Sequence, residues 1–83
     1  MDQLGEAVKA FKAAQAGLPR AEERAEQLVA DARAKIDEKR RALAAAIVAE
    51  YENGARVNDL ARRSDYTRET IRRILRAAGI PPE

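Results

Sequence analysis

The stretch from Pro19 to about Glu52 limits the possible folds more than any other part of this chain, because it reads as one long helix. Proline suits the first turn of a helix, where a missing N–H costs nothing, and Glu22, Glu23 and Glu26 follow near the positive end of the helix dipole. Along this stretch Val29, Ala32, Ile36, Leu43 and Ile47 recur at spacings of three or four once Lys39, which interrupts the heptad seam, is counted in. A helix of about 33 residues spans roughly 50 Å, too long to lie wholly inside one small domain. The seam therefore needs a partner, either the preceding helix folded back as a hairpin or a second copy of the chain in a coiled coil. Self-association is the reading we favour.

Upstream, Leu4, Val8, Phe11 and Leu18, with Ala14 between them, form a one-sided helical stripe, and the spacing predicts a first helix over residues 3–16. Gly17-Leu18-Pro19 reads as a stop and restart, glycine suiting the left-handed residue after a helix. A single helix kinked at Pro19 is the competing reading. Downstream, Asn53-Gly54 ends the long helix, a short helix is expected over residues 56–63, and Ser64-Asp65-Tyr66 breaks it. A last helix over residues 67–78 is closed by Gly79, by Ile80 folding back on the final turn, and by Pro81-Pro82. The expected fold is all-α: a helical oligomerisation arm over residues 1–39, coiled coil or hairpin, followed by a three-helix head over residues 40–83. Its expected core is Leu43, Ile47, Tyr51, Val57, Leu60, Tyr66, Ile71, Ile74, Leu75 and Ile80.

Composition agrees with an all-α chain and removes most chemistries. Nineteen alanines, 36% charged residues and 4% aromatics within 83 residues favour solvated helices over sandwiches or barrels. Cysteine and histidine are both absent, which excludes disulfides, thiolate or imidazole zinc ligands, and Cys or His catalysis. Acidic neighbours such as Glu22-Glu23 and Asp37-Glu38 have no converging partner, so we expect no catalytic residue, no metal site, no cofactor and no small-molecule substrate. The opening MDQLGEAVKA, with Asp2 and Glu6, reads as neither a signal peptide nor a membrane span, and a cytoplasmic protein is the expectation.

The net charge of +2 is unevenly spread. Residues 1–53 hold nine basic and ten acidic side chains, residues 54–83 seven basic and four acidic, and all seven of those cations are arginine. Guanidinium groups grip phosphates and guanine edges bidentately, as lysine cannot. In the last helix Ile71, Ile74 and Leu75 make the inward stripe, while Arg68, Arg72 and Arg76 stack on the opposite face with Glu69 and Arg73 beside them. Thr67 is placed to cap the helix, and Tyr51 and Tyr66 fall on apolar stripes as core plugs. The run Lys35-Ile36-Asp37-Glu38-Lys39-Arg40-Arg41 reads as an exposed face in which Arg40 and Arg41 could reach phosphate.

A short helix, a three-residue turn and a second helix with an outward basic ridge resemble the helix-turn-helix DNA-binding domain at the C-terminus of resolvase and invertase recombinases, found also in small bacterial and phage regulators. The resemblance rests on Ile47, Val48 and Tyr51, on Asn53-Gly54, on Val57 through Leu60-Ala61, on Thr67 through Leu75, and on Gly79-Ile80, about the last 40 residues. It implies that Arg68, Glu69, Arg72 and Arg73 read bases and that Thr67, Thr70, Arg76 and Arg56 contact phosphates. Two positions depart from the pattern: Asp65 stands where such turns often hold glycine, and Ser64 where an apolar residue is usual. No recombinase catalytic region precedes the motif within this sequence, so the resemblance implies DNA binding without strand exchange.

The expected function is therefore that of a non-enzymatic, dimeric protein binding double-stranded DNA, a transcriptional regulator or architectural factor. A coiled-coil adaptor gripping a protein such as RNA polymerase, or a purely structural coiled coil, is the alternative.

Overall fold

A computed structural model describes residues 2–82 and is all-α, with no strand among those residues. Three helices follow in order: α1 (Gln3–Glu52), α2 (Val57–Ser64) and α3 (Arg68–Ala77). Asp2 caps the first, its carboxylate accepting from the amide of Leu4 at 3.1 Å.

The stop and restart expected at Gly17-Leu18-Pro19 does not occur, because α1 runs through Pro19 without interruption. The separate first helix over residues 3–16, and with it the hairpin, are thereby corrected. Physically, a restart at Pro19 would have left the new helix uncapped, since no Ser, Thr, Asp or Asn lies among residues 13–23. Alanine, glutamate and arginine on both sides are strong helix formers, and together they outweigh the roughly 3 kcal/mol that an interior proline costs. The positive-φ glycines are Gly54 and Gly79, so Gly17 stays in helical conformation.

The chain divides into two compact units, Met1–Lys35 and Ile36–Glu83. The first, over its described residues, is helical and exposed throughout, including Leu4 (71% exposed) and Phe11 (63%).

The second unit holds the hydrophobic core. Ile47 of α1, Val57 and Leu60 of α2, and Ile71 and Leu75 of α3 are buried, with Val48, Tyr51, Ala55, Ala61, Tyr66, Ile74 and Ile80 packed around them. Each fully buried aliphatic side chain contributes about 1.5–3 kcal/mol. Leu43, expected in this core, is 37% exposed instead. It lies beside the covered face of α1, lining an open groove next to Ile47 and Leu60, while its neighbour Ala44 is the half-buried residue.

Two helix ends use the same device. At Gly54 (φ 107°) the amide of Gly54 donates to the Tyr51 carbonyl at 3.0 Å and that of Ala55 to Glu50 at 3.0 Å. At Gly79 (φ 79°) the amide of Gly79 donates to Arg76 at 2.9 Å and that of Ile80 to Leu75 at 2.9 Å. Both are six-to-one and five-to-two pairs that satisfy carbonyls at a helix end, and both need a glycine in the left-handed region. Asp65 (φ 64°) ends α2 in the same region without being glycine, which aspartate tolerates better than most residues.

Candidate nucleic-acid interface

Helix α3 is positioned by burial on one side and by a cap at its start. Ile71 and Leu75 are 0% exposed. The Thr67 hydroxyl accepts from the amide of Thr70 at 3.1 Å and donates to the Thr70 hydroxyl at 3.0 Å. Its proton is thus engaged, while the Thr70 hydroxyl proton remains for an outside acceptor.

With the apolar stripe inward, Arg68, Glu69, Arg73 and Arg76 are exposed and Arg72 and Thr70 are half-buried. Glu69 and Arg76 pair with each other at 2.8 Å across two turns of α3. Arg68 reaches back to α2, its guanidinium 3.5 Å from the Asn58 side-chain oxygen. Arg72 and Arg73 form no ion pair among the described residues. The helix therefore presents three arginines with no acidic partner, and one whose charge is offset by Glu69. Arg56 is exposed and sits at the residue before α2, apart in sequence from the α3 group.

Arg73 and Thr70 also share an open cleft with Arg40 and Arg41 of α1, floored by Ala44, Tyr66 and Ile74. Arg40 pairs with Asp37 at 3.3 Å, whereas Arg41 forms no ion pair among the described residues. Three arginines thus line this cleft around an apolar floor, the charge of Arg40 being offset by Asp37, and guanidiniums of this kind suit a phosphate oxygen.

Not all seven C-terminal arginines belong to that surface. Arg63 donates to Asp59 at 3.0 Å and to Glu50 of α1 at 2.9 Å, tying α2 to α1. Those hydrogen bonds, first to Asp59 and then to Glu50, hold its guanidinium above the ordinary arginine range. Arg62 also pairs with Asp59. The i,i+4 spacing of Asp59 and Arg63 signals half of this bridge in the sequence; the link to Glu50, thirteen residues away, carries no local signal. Ser64, placed where an apolar residue is usual, fastens the turn through its polar group. Its hydroxyl accepts from the Tyr66 amide at 3.2 Å and lies 3.5 Å from the Ala61 carbonyl.

No group of acidic side chains suited to hold a metal ion occurs among the described residues, and no described helix is long and apolar enough to cross a membrane. Comparison with protein-family models, with curated proteins and with solved structures gives no match.

Proposed function

We propose that this chain binds double-stranded DNA by setting α3 in the major groove, with α2 bracing it as in a helix-turn-helix, and that two copies act together through α1. The observation that carries the reading is the outward side of α3, where Arg68, Arg72 and Arg73 have no acidic partner while Ile71 and Leu75 fix the helix from behind. Arg68, Glu69, Arg72 and Arg73 read bases; Thr70, Arg76 and Arg56 contact phosphate, as do Arg40 and Arg41 beside Arg73. Thr67 acts chiefly as the cap. The cellular role is transcriptional regulation or DNA architecture without chemistry of its own.

Titration of duplex DNA at two salt concentrations tests this, because neutralising phosphates releases counterions and makes affinity fall steeply with salt. Replacing Arg72 and Arg73 together by Ala should weaken binding roughly thirty-fold or more, each bidentate contact being worth about 1–3 kcal/mol. Helicity should not change, since neither side chain belongs to the core. Binding that survives the double replacement would remove α3 from the interface.

The exposure of Leu4, Phe11, Leu18 and Val29 favours a second reading, the coiled-coil adaptor. Under it, DNA affinity would be weak and an α1 peptide alone would capture the partner.

A further inference from the structure

We infer that α1 pairs with a second copy of itself in the antiparallel sense, aligned so that Glu22 of each chain meets Lys39 of the other. The inference rests on the self-association proposed above and adds its direction and register.

Because α1 runs through Pro19, the apolar residues before and after it can be placed in one spacing. Leu4, Val8, Phe11, Gln15, Leu18, Glu22, Ala25, Val29, Ala32, Ile36, Lys39 and Leu43 follow an unbroken alternation of three and four. All of them are exposed in the single chain. The alternation makes Val8, Gln15, Glu22, Val29, Ile36 and Leu43 one heptad position, and Leu4, Phe11, Leu18, Ala25, Ala32 and Lys39 the other.

Two charges therefore lie in the seam, and neither Glu22 nor Lys39 has an ion-pair partner within the described chain. In a parallel, in-register pair each would face its own copy, Glu22 against Glu22 and Lys39 against Lys39, and at the flanks Lys35 would meet Arg40. An antiparallel pair instead layers one heptad position against the other. Aligning residues 22 and 39 then sets Val29 against Ala32, Ala25 against Ile36 and Leu18 against Leu43, large against small in the central layers. The flanking Glu26 comes opposite Arg33 of the second copy. Sliding the chains by a heptad sets Glu22 against Ala32 or Ala46 and loses both opposite-charge pairs. On the same alignment Phe11 comes level with Glu50 of the second copy, beside an open groove whose apolar side is Leu43, Ala46, Ile47 and Leu60 and whose polar side is Ser64 and the Glu50–Arg63 pair.

A chain without cysteine makes the test clean. Light scattering and sedimentation of the full chain should give a dimer. Glu22→Lys should weaken dimerisation at least about tenfold, because it turns two attractive pairs into like-charge contacts. Adding Lys39→Glu should restore it, with helicity unchanged throughout. On oxidation, Ala25→Cys mixed with Ile36→Cys should give the mixed disulfide, while each alone should give none. A dimer that Glu22→Lys leaves intact and that links Ala25→Cys to itself overturns the antiparallel register while self-association stands. A monomer at every concentration overturns both.

Discussion

The two compact units are both helical and both supplied with aliphatic side chains, yet among the described residues only the second buries any. Over residues 2–35 every side chain is exposed, whereas Ile36–Glu83 encloses five buried aliphatic residues. The difference lies in what brings the chain back on itself. Gly54 and Asp65 reverse its direction, so the short helices α2 and α3 can cover Ile47, while no described residue of the first unit reverses it. Helices of eight and ten residues are too short to persist in water unaided, so α2 and α3 exist because they share a core. The first unit is helical by local preference and leaves its apolar side chains exposed in the single chain.

The largest expected effect sharpens this contrast. Ile71→Ala should destabilise the second unit by about 2–5 kcal/mol, the range for a large-to-small change in a closed core. Val29→Ala, at a residue 52% exposed, should leave the stability of the single chain nearly unchanged and act only on association. Chemical denaturation followed at several protein concentrations separates the two. An Ile71→Ala loss below about 1 kcal/mol would mean that the core is looser than its zero exposure implies.

Next in size is Pro19→Ala. An interior proline removes one backbone hydrogen bond and crowds the carbonyl four residues before it, so alanine should raise the stability of that part of α1 by up to about 3 kcal/mol. Amide exchange over residues 15–23 should slow, with no change around Ile71. Faster exchange there would mean that proline begins a helix rather than interrupting one.

These contrasts also explain what could be read from the sequence. The ends of α2 and α3 were legible because their signals are local: Thr67 caps through its own hydroxyl, Asp65 takes the left-handed conformation, and Gly79-Ile80 closes the last turn. Boundaries moved by a residue, from 56–63 to Val57–Ser64 and from 67–78 to Arg68–Ala77. Gly17-Leu18-Pro19 misled because glycine and proline have the same letters in a helix as at its ends, and only the missing cap distinguishes the cases. Leu43 misled because periodicity gives the apolar side of a helix without saying how much of its width the covering helices reach: Ala44 is half-buried while Leu43 lines an open groove. Of the outward positions on α3, the exposure of Arg68, Glu69, Arg73 and Arg76 was legible from the apolar stripe, whereas Arg72, expected on the opposite face, is half-buried at its flank; the Glu69–Arg76 pair, the Arg63 bridge and the grouping of Arg40 and Arg41 with Arg73 depend on rotamers and on contacts between helices.

Capping gives a smaller effect. Thr67→Ala removes the acceptor for the Thr70 amide and should cost the second unit about 1 kcal/mol, with Thr67→Asn recovering most of it. Thermal unfolding of both variants checks this, and equal losses in the two would show that the hydroxyl's contact with the Thr70 side chain, rather than the cap, supplies the stabilisation.

The smallest effects should differ in sign along one helix. Gly17 lies within α1 in helical conformation, and a Cβ there would meet nothing within 4 Å, so Gly17→Ala should add about 1 kcal/mol of local helix stability. Gly54, just past the end of the same helix, also has open space around it, but its φ of 107° lies where side chains are strained. Gly54→Ala should therefore destabilise by about 1–2 kcal/mol although no atom would collide. Circular dichroism of the first variant and denaturation of the second read the two signs directly. Were Gly17→Ala to lower helicity, the chain would be turning at residue 17, the first unit would regain the reversal it lacks, and the uninterrupted spacing from Leu4 to Leu43 would no longer hold.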